Sequence, residues 1–121
     1  MSGFGPSANP PYFTITSSAT VSNVIDGGGW ALAGLFFPTG YTGTKFKLME
    51  GVDGTAAGAG LIYDDDGSAL TLTAPAAGSS AVMMKLDPTK YHTMNNIHLV
   101  ASSAQSSAII VKPMWTRYNA L

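Results

Sequence analysis

The chain reads as an all-β protein: an antiparallel two-sheet β-sandwich, jelly-roll-like, with eight or nine strands and an extended N-terminal arm. Three observations predict this. From residue 30 to residue 86, short apolar or alternating runs are separated by tight turns marked by Gly, Pro or Asp. Several of those runs alternate with a period of two. No stretch argues for a helix.

Residues 1–11, Met-Ser-Gly-Phe-Gly-Pro-Ser-Ala-Asn-Pro-Pro, contain three prolines and read as an extended arm. Such an arm becomes ordered only against a partner surface. It lacks the basic start and apolar stretch of a signal peptide. Residues 12–121 then form one domain, with strands expected at 12–16 and 19–25. Asp26-Gly27-Gly28-Gly29 supplies a turn in which positive φ carries no Cβ strain. Residues 30–37, Trp-Ala-Leu-Ala-Gly-Leu-Phe-Phe, have no polar face, which predicts a central strand buried on both sides with Trp30 and Phe36 in the core. Pro38-Thr39-Gly40 ends it.

In 44–50, Phe46 and Leu48 point one way and Lys45, Lys47 and Met49 the other, before a turn at Asp53-Gly54. The Ala/Gly-rich 54–60 stretch is a flexible connection to a strand at 60–63, which stops at Asp64-Asp65-Asp66-Gly67. Residues 69–73 place Leu70 and Leu72 inward and stop at Pro75; 74–80 is a second flexible connection. Residues 81–86 place Val82, Met84 and Leu86 inward and Met83 and Lys85 outward, and Asp87-Pro88 ends the run because proline offers no N–H for pairing. Residues 96–101 turn Ile97 and Leu99 inward and His98 and Val100 to the other face. The last strand, 108–115, contains Pro113, which implies an edge position or a bulge. The expected core is Leu32, Phe36, Phe46, Leu48, Leu70, Leu72, Val82, Met84, Leu86, Ile97 and Leu99.

Charged residues are 11% of the chain, against a typical ~25%. The net charge of -1 offers no basic field for nucleic acid and no polybasic stretch for an anionic membrane. No run of 18 apolar residues exists. With no Cys, neither disulfides nor thiolate metal sites are expected. Ala, Gly, Ser and Thr supply 54 of the 121 residues, so the surface is built from small uncharged side chains. Soluble domains usually stay dispersed through mixed charge. A surface this lean in charge suits a protein packed against neighbours, as well as a plain soluble β domain of Gly/Ala-rich composition.

Chemistry-bearing residues are few. Asp64, Asp65 and Asp66 could supply oxygen ligands to Ca²⁺, but their spacing is not that of an EF-hand loop, and a hairpin turn explains the same letters. His92 and His98 are the only histidines and read as surface or hydrogen-bonding groups, because zinc would need further ligands. Glu50 is the only glutamate, so a retaining-glycosidase pair would need an aspartate brought near it in space. No Gly-x-Ser-x-Gly elbow occurs. Gly27-Gly28-Gly29 leads into a strand, not a helix, and is no phosphate cradle. No enzyme, cofactor or metal site is expected. Among twelve aromatic residues, Tyr91, Trp115 and Tyr118 are the candidates for surface contact, and Phe4, Pro10 and Pro11 are those of the arm.

One ordered set of features resembles a known family. It comprises Gly34-Leu-Phe-Phe-Pro38, Tyr41-Thr-Gly-Thr44-x-Phe46, Asp53-Gly54 and Ile62-Tyr-Asp64 with Gly67. It continues with Leu86-Asp-Pro88-x-x-Tyr91, Asn96-Ile-His-Leu-Val100-Ala-Ser, Ala104-Gln105 and a final apolar strand. Over residues 19–115 this profile of turns and core positions resembles the small β-sandwich virion proteins of tailed bacteriophages, often capsid decoration or cement proteins. The stretch Thr55-Ala-Ala-Gly-Ala-Gly60 departs from it, with a looser hairpin after the Asp-Gly turn. The resemblance implies a jelly-roll-like fold, no active site, and assembly as a homo-oligomer, a trimer favoured, on the major capsid protein. The expected location is the capsid exterior of the virion, and the host cytoplasm during assembly. The alternative is a carbohydrate-binding module of a phage head or tail fibre, using exposed aromatics. A small hydrolase is the third reading.

Overall fold

A computed structural model describes residues 12–28, 30–51, 59–62, 71–74, 81–91 and 96–117. They form eight strands: β1 (Phe13–Ile15), β2 (Trp30–Phe37), β3 (Lys45–Gly51), β4 (Ala59–Leu61), β5 (Thr71–Thr73), β6 (Val82–Lys85), β7 (Ile97–Ala101) and β8 (Ile109–Arg117). No helix occurs among the described residues. One antiparallel sheet has the order β1-β8-β2-β6. In the other, β3 pairs with β7 along one side and with β4 and β5 along the other.

The core lies between the sheets, and strand alternation fills it. Phe46 and Leu48 of β3 stand beside Ala101 and Leu99 of β7, and all four are buried. Facing them, the first sheet contributes Phe13, Ile15, Leu32, Leu35, Phe37, Ile109 and Val111. Phe37 joins the layers: its ring is 5.1 Å from that of Phe46 and meets Tyr41 edge-on at 5.2 Å. Such pairs add to what area burial alone contributes. Lys45 and Lys47 are exposed, so the register expected for β3 holds.

Several expectations need correction. Residues 19–25 form no continuous strand; they touch β7 through two isolated bridges, Val21 with Val100 and Ile25 with Ile97. Ser22 causes the interruption. Its N–H donates to the Leu99 carbonyl, but its Oγ accepts the Leu99 N–H (2.9 Å), the place a backbone carbonyl would take in a ladder. Asn23 then turns toward the other sheet, where Oδ1 accepts the Thr14 N–H (2.7 Å) and Nδ2 donates to the Tyr12 carbonyl (3.1 Å). The amide thereby satisfies the outer edge of β1 as a neighbouring strand would.

Within the expected core, Val82 is 39% exposed, because β6 is the edge of its sheet and its inward residues lie at the rim. Phe36 is half-buried on the outer side of β2, and Trp30 is half-buried at its start. Thus β2 is central, between β8 and β6, but its outer side is not fully covered. Leu72, Met84 and Leu86 pack against the core while partly buried. Leu70 lies outside the described residues.

Pro113 has a simple accommodation. Pairing with β1 involves only Ile109, Ile110 and Val111, so among the described residues β2 alone pairs with β8 at Pro113. A register shift lies close by, between Leu32 and Gly34. The turn before β2 also forms as expected: Asp26 Oδ1 accepts the Gly28 N–H (2.9 Å), with Gly28 at φ +58°.

Candidate interaction surface

The outer face of the β1-β8-β2-β6 sheet collects apolar side chains where a solvated sheet would carry polar ones. Alternation along β8 points Ile110, Lys112 and Met114 outward, and the same face receives Phe36 of β2 and Met83 of β6. Ile110, Met83 and Met114 are 44%, 42% and 49% exposed. Of the seven exposed large hydrophobic side chains among the described residues, five belong to this sheet or its margin: Tyr12, Val82, Met83, Ile110 and Met114. The remaining two, Val21 and Leu61, belong with the other sheet.

Two cations on this sheet, Lys112 and Arg117, rest on aromatic rings. Lys112 Nζ lies 5.3 Å from the Tyr12 ring centre and 5.8 Å from that of Phe36. The Arg117 guanidinium lies 5.6 Å from the Trp30 ring. All three distances suit cation–π attraction. Gly34 lets the face close up at its middle: a Cβ there would lie 2.9 Å from the Met84 carbonyl oxygen, 3.6 Å from Met83 Sδ and 3.7 Å from Met114 Cβ. Because the nearest atom is backbone, Gly34→Ala must push β6 away from β2. It should cost about 1–3 kcal/mol in a thermal melt, whereas removing the exposed Met114 side chain should cost far less.

The residues expected at a contact surface are distributed otherwise. Tyr91 is buried in the core, 3% exposed. The turn after Asp87-Pro88 folds it inward: Thr89 donates from N and Oγ1 to Asp87 Oδ1, the Lys90 N–H donates to the Asp87 carbonyl, and the Tyr91 carbonyl accepts the Leu32 N–H (2.9 Å). Those Thr89 bonds, the hydroxyl's first, hold the Asp87 carboxyl below its ordinary range. Trp115 is half-buried against the core, opposite Leu32. Phe4, Pro10, Pro11 and Tyr118 lie outside the described residues, as do His92, Asp53-Gly54 and the Asp64–Asp66 run.

A second feature is an open cleft of about 580 Å³ bordered by Asp26, Glu50, Leu61, Ile62 and Asn96. It brings the single glutamate and an aspartate to one opening, a juxtaposition that the hydrolase reading would need. One oxygen of Asp26 is already the acceptor of the Gly28 turn. No group of three or more His, Asp or Glu that could hold a metal occurs among the described residues.

His98 is not the surface group expected. It faces outward on β7 beside Met49, yet it is 2% exposed and Nδ1 has no hydrogen-bond partner among the described residues. Burial lowers its pKa from the ordinary value. The unfolded chain therefore binds the proton more readily than the folded one. Stability is fully present above the unfolded value, about pH 6.5, and is lost as pH falls toward the depressed folded value. Denaturant melts from about pH 7.5 to about pH 5 should show this decline, and it should be shallower in His98→Phe.

Comparison of the chain with family models, with curated proteins and with solved structures returned no match.

Proposed function

We propose that this chain is a structural virion protein of a tailed bacteriophage, decorating and stabilising the outside of the capsid by protein–protein contacts. The observation that carries the reading is the exposed outer face of the β1-β8-β2-β6 sheet, with Met83, Ile110 and Met114 each more than 40% open to water. Burying such a face contributes about 25 cal/mol per Å² of apolar area. A repeating shell offers many equivalent positions, and linked copies would multiply a modest single-site affinity. The low charge of the chain and a turn profile that resembles that of phage decoration proteins support the same reading. Methionine and isoleucine suit an adaptable protein contact better than a sugar platform, which needs open aromatic rings. Among the described residues, Tyr12 is the one aromatic in the set of exposed large hydrophobic side chains, and Lys112 sits against it.

The test uses tailed-phage heads that lack the protein. Added chain should bind them at saturable lattice positions, seen by cryo-electron microscopy, and raise the temperature at which they release DNA. Absence of binding overturns the reading. Binding to a glycan array without binding to heads would replace it with sugar recognition.

A further inference from the structure

We propose that the outer face of the β1-β8-β2-β6 sheet docks a protein surface with an apolar centre and a border of carboxylates, belonging to a chain other than this one. The inference rests on the decoration reading and names the chemistry of its partner. The argument is one of charge distribution. The outer face of this sheet carries Lys85 and Lys112, and its four strands hold not one Asp or Glu. The described carboxylates lie elsewhere: Asp26 and Glu50 border the cleft, and Asp87 sits in the turn after β6.

Lys112 is held between the Tyr12 and Phe36 rings, so its charge is positioned on the face before any partner arrives. A side chain already ordered loses little freedom on docking. Met83 and Met114 flank it and can repack to an irregular partner. Together they form an adaptable apolar centre with positive charge fixed among it.

That pattern disfavours a second copy seated face to face. A two-fold contact would set this face against its own copy, whose strands offer Lys85 and Lys112 no carboxylate and only further positive charge. It also disfavours nucleic acid, which selects clustered cations and few apolar groups. A carboxylate-bordered protein patch satisfies both the apolar and the charged parts of the face.

The experiment adds the full chain to tailed-phage heads lacking it, then applies a zero-length carbodiimide cross-linker, which joins amines only to carboxylates they touch. Peptide mapping should find Lys85 or Lys112 joined to Asp or Glu of the shell protein. Lys112→Glu should weaken head binding at least about tenfold, while Lys45→Glu, on the outer face of the other sheet, should change it less than about twofold. Wild-type binding should weaken as salt rises from about 0.05 to about 0.5 M. If Lys112→Glu lowers the melting temperature, Lys85→Glu on the exposed edge strand replaces it. Heads that bind wild type and both variants equally would overturn this docking face and leave the decoration reading standing. Cross-links to Asp26 or Glu50 of sister copies would make a second copy the occupant, and retention of DNA fragments in place of heads would make it nucleic acid; either overturns the proposal. Heads that bind no wild-type chain remove the decoration reading and this partner with it.

Discussion

Phe46→Ala should destabilise the fold by about 3–5 kcal/mol, a large share of the 5–15 kcal/mol that holds a typical domain together. Phe46 is 1% exposed in the middle of the second sheet, with Leu72 of β5 opposite it on one side and Ala101 of β7 on the other. Its ring reaches Phe37 of the first sheet at 5.1 Å, and Phe37 in turn meets Tyr41. Truncation therefore removes a bridge between the two layers as well as its own buried area. Partners drawn from three separate strands cannot all move into the space, so much of the cavity should persist. The measurement is the urea midpoint, which should fall with an unchanged slope if the folded state stays compact. Phe46→Leu should lose less, and Lys47→Ala, exposed one residue away, should stay within about 0.5 kcal/mol of wild type. Equal losses at 46 and 47 would mean that the inward face of β3 has been misassigned.

The parts of the fold legible in the sequence are those where a local pattern and the final packing agree. Residues 30–37 form a strand with the expected bounds, since an unbroken apolar run lies between a Gly-rich turn and Pro38. The alternation of Lys45, Phe46, Lys47 and Leu48 fixes which side of β3 is wet. Residues 19–25 carry comparable apolar content, but Ser22 and Asn23 use their side chains in place of backbone ladder bonds, and composition alone does not reveal that. Tyr91 is similar. Its turn is legible at Asp87-Pro88, but its burial depends on a bond to Leu32, 59 positions earlier in the chain.

The candidate interaction face is legible in the sequence only in fragments. Met83 and Lys85 fall on the outward phase of their run, and that much follows from alternation. Nothing local unites them with Ile110, Lys112 and Met114, because β8 carries apolar residues on both phases and Pro113 interrupts its period. Only the placement of β8 between β1 and β2 brings the five together, and strand order is a non-local property of the chain.

Gln105→Ala should cost about 2–4 kcal/mol, because it leaves three partly buried backbone groups without their partner. Gln105 is 2% exposed although it lies in a loop. Its Oε1 accepts the Thr42 N–H (2.9 Å), and its Nε2 donates to the carbonyls of Thr42 (2.8 Å) and Ser103 (3.1 Å). Its own backbone N–H donates to Ala19, and its carbonyl accepts the Ser18 N–H (2.8 Å). One side chain thus fastens the loop after β2 to the loop before β8, while its backbone fastens the stretch after β1. Ala keeps the backbone bonds and loses the other three, and any water that enters the space offsets part of the loss. Gln105→Glu separates the geometry from the volume. A carboxylate can still accept from Thr42, but ionised it faces two carbonyls where donors are needed, so burial raises its folded pKa above the ordinary value of about 4.3. Stability of that variant should then be nearest to wild type below pH about 4 and fall as pH rises through the carboxylate's range, the opposite direction to the His98 effect. Thermal melts of both variants across that range provide the measurement. A Gln105→Ala protein that melts with wild type, or a Gln105→Glu protein indifferent to pH, would mean that the three loops hold together without this amide.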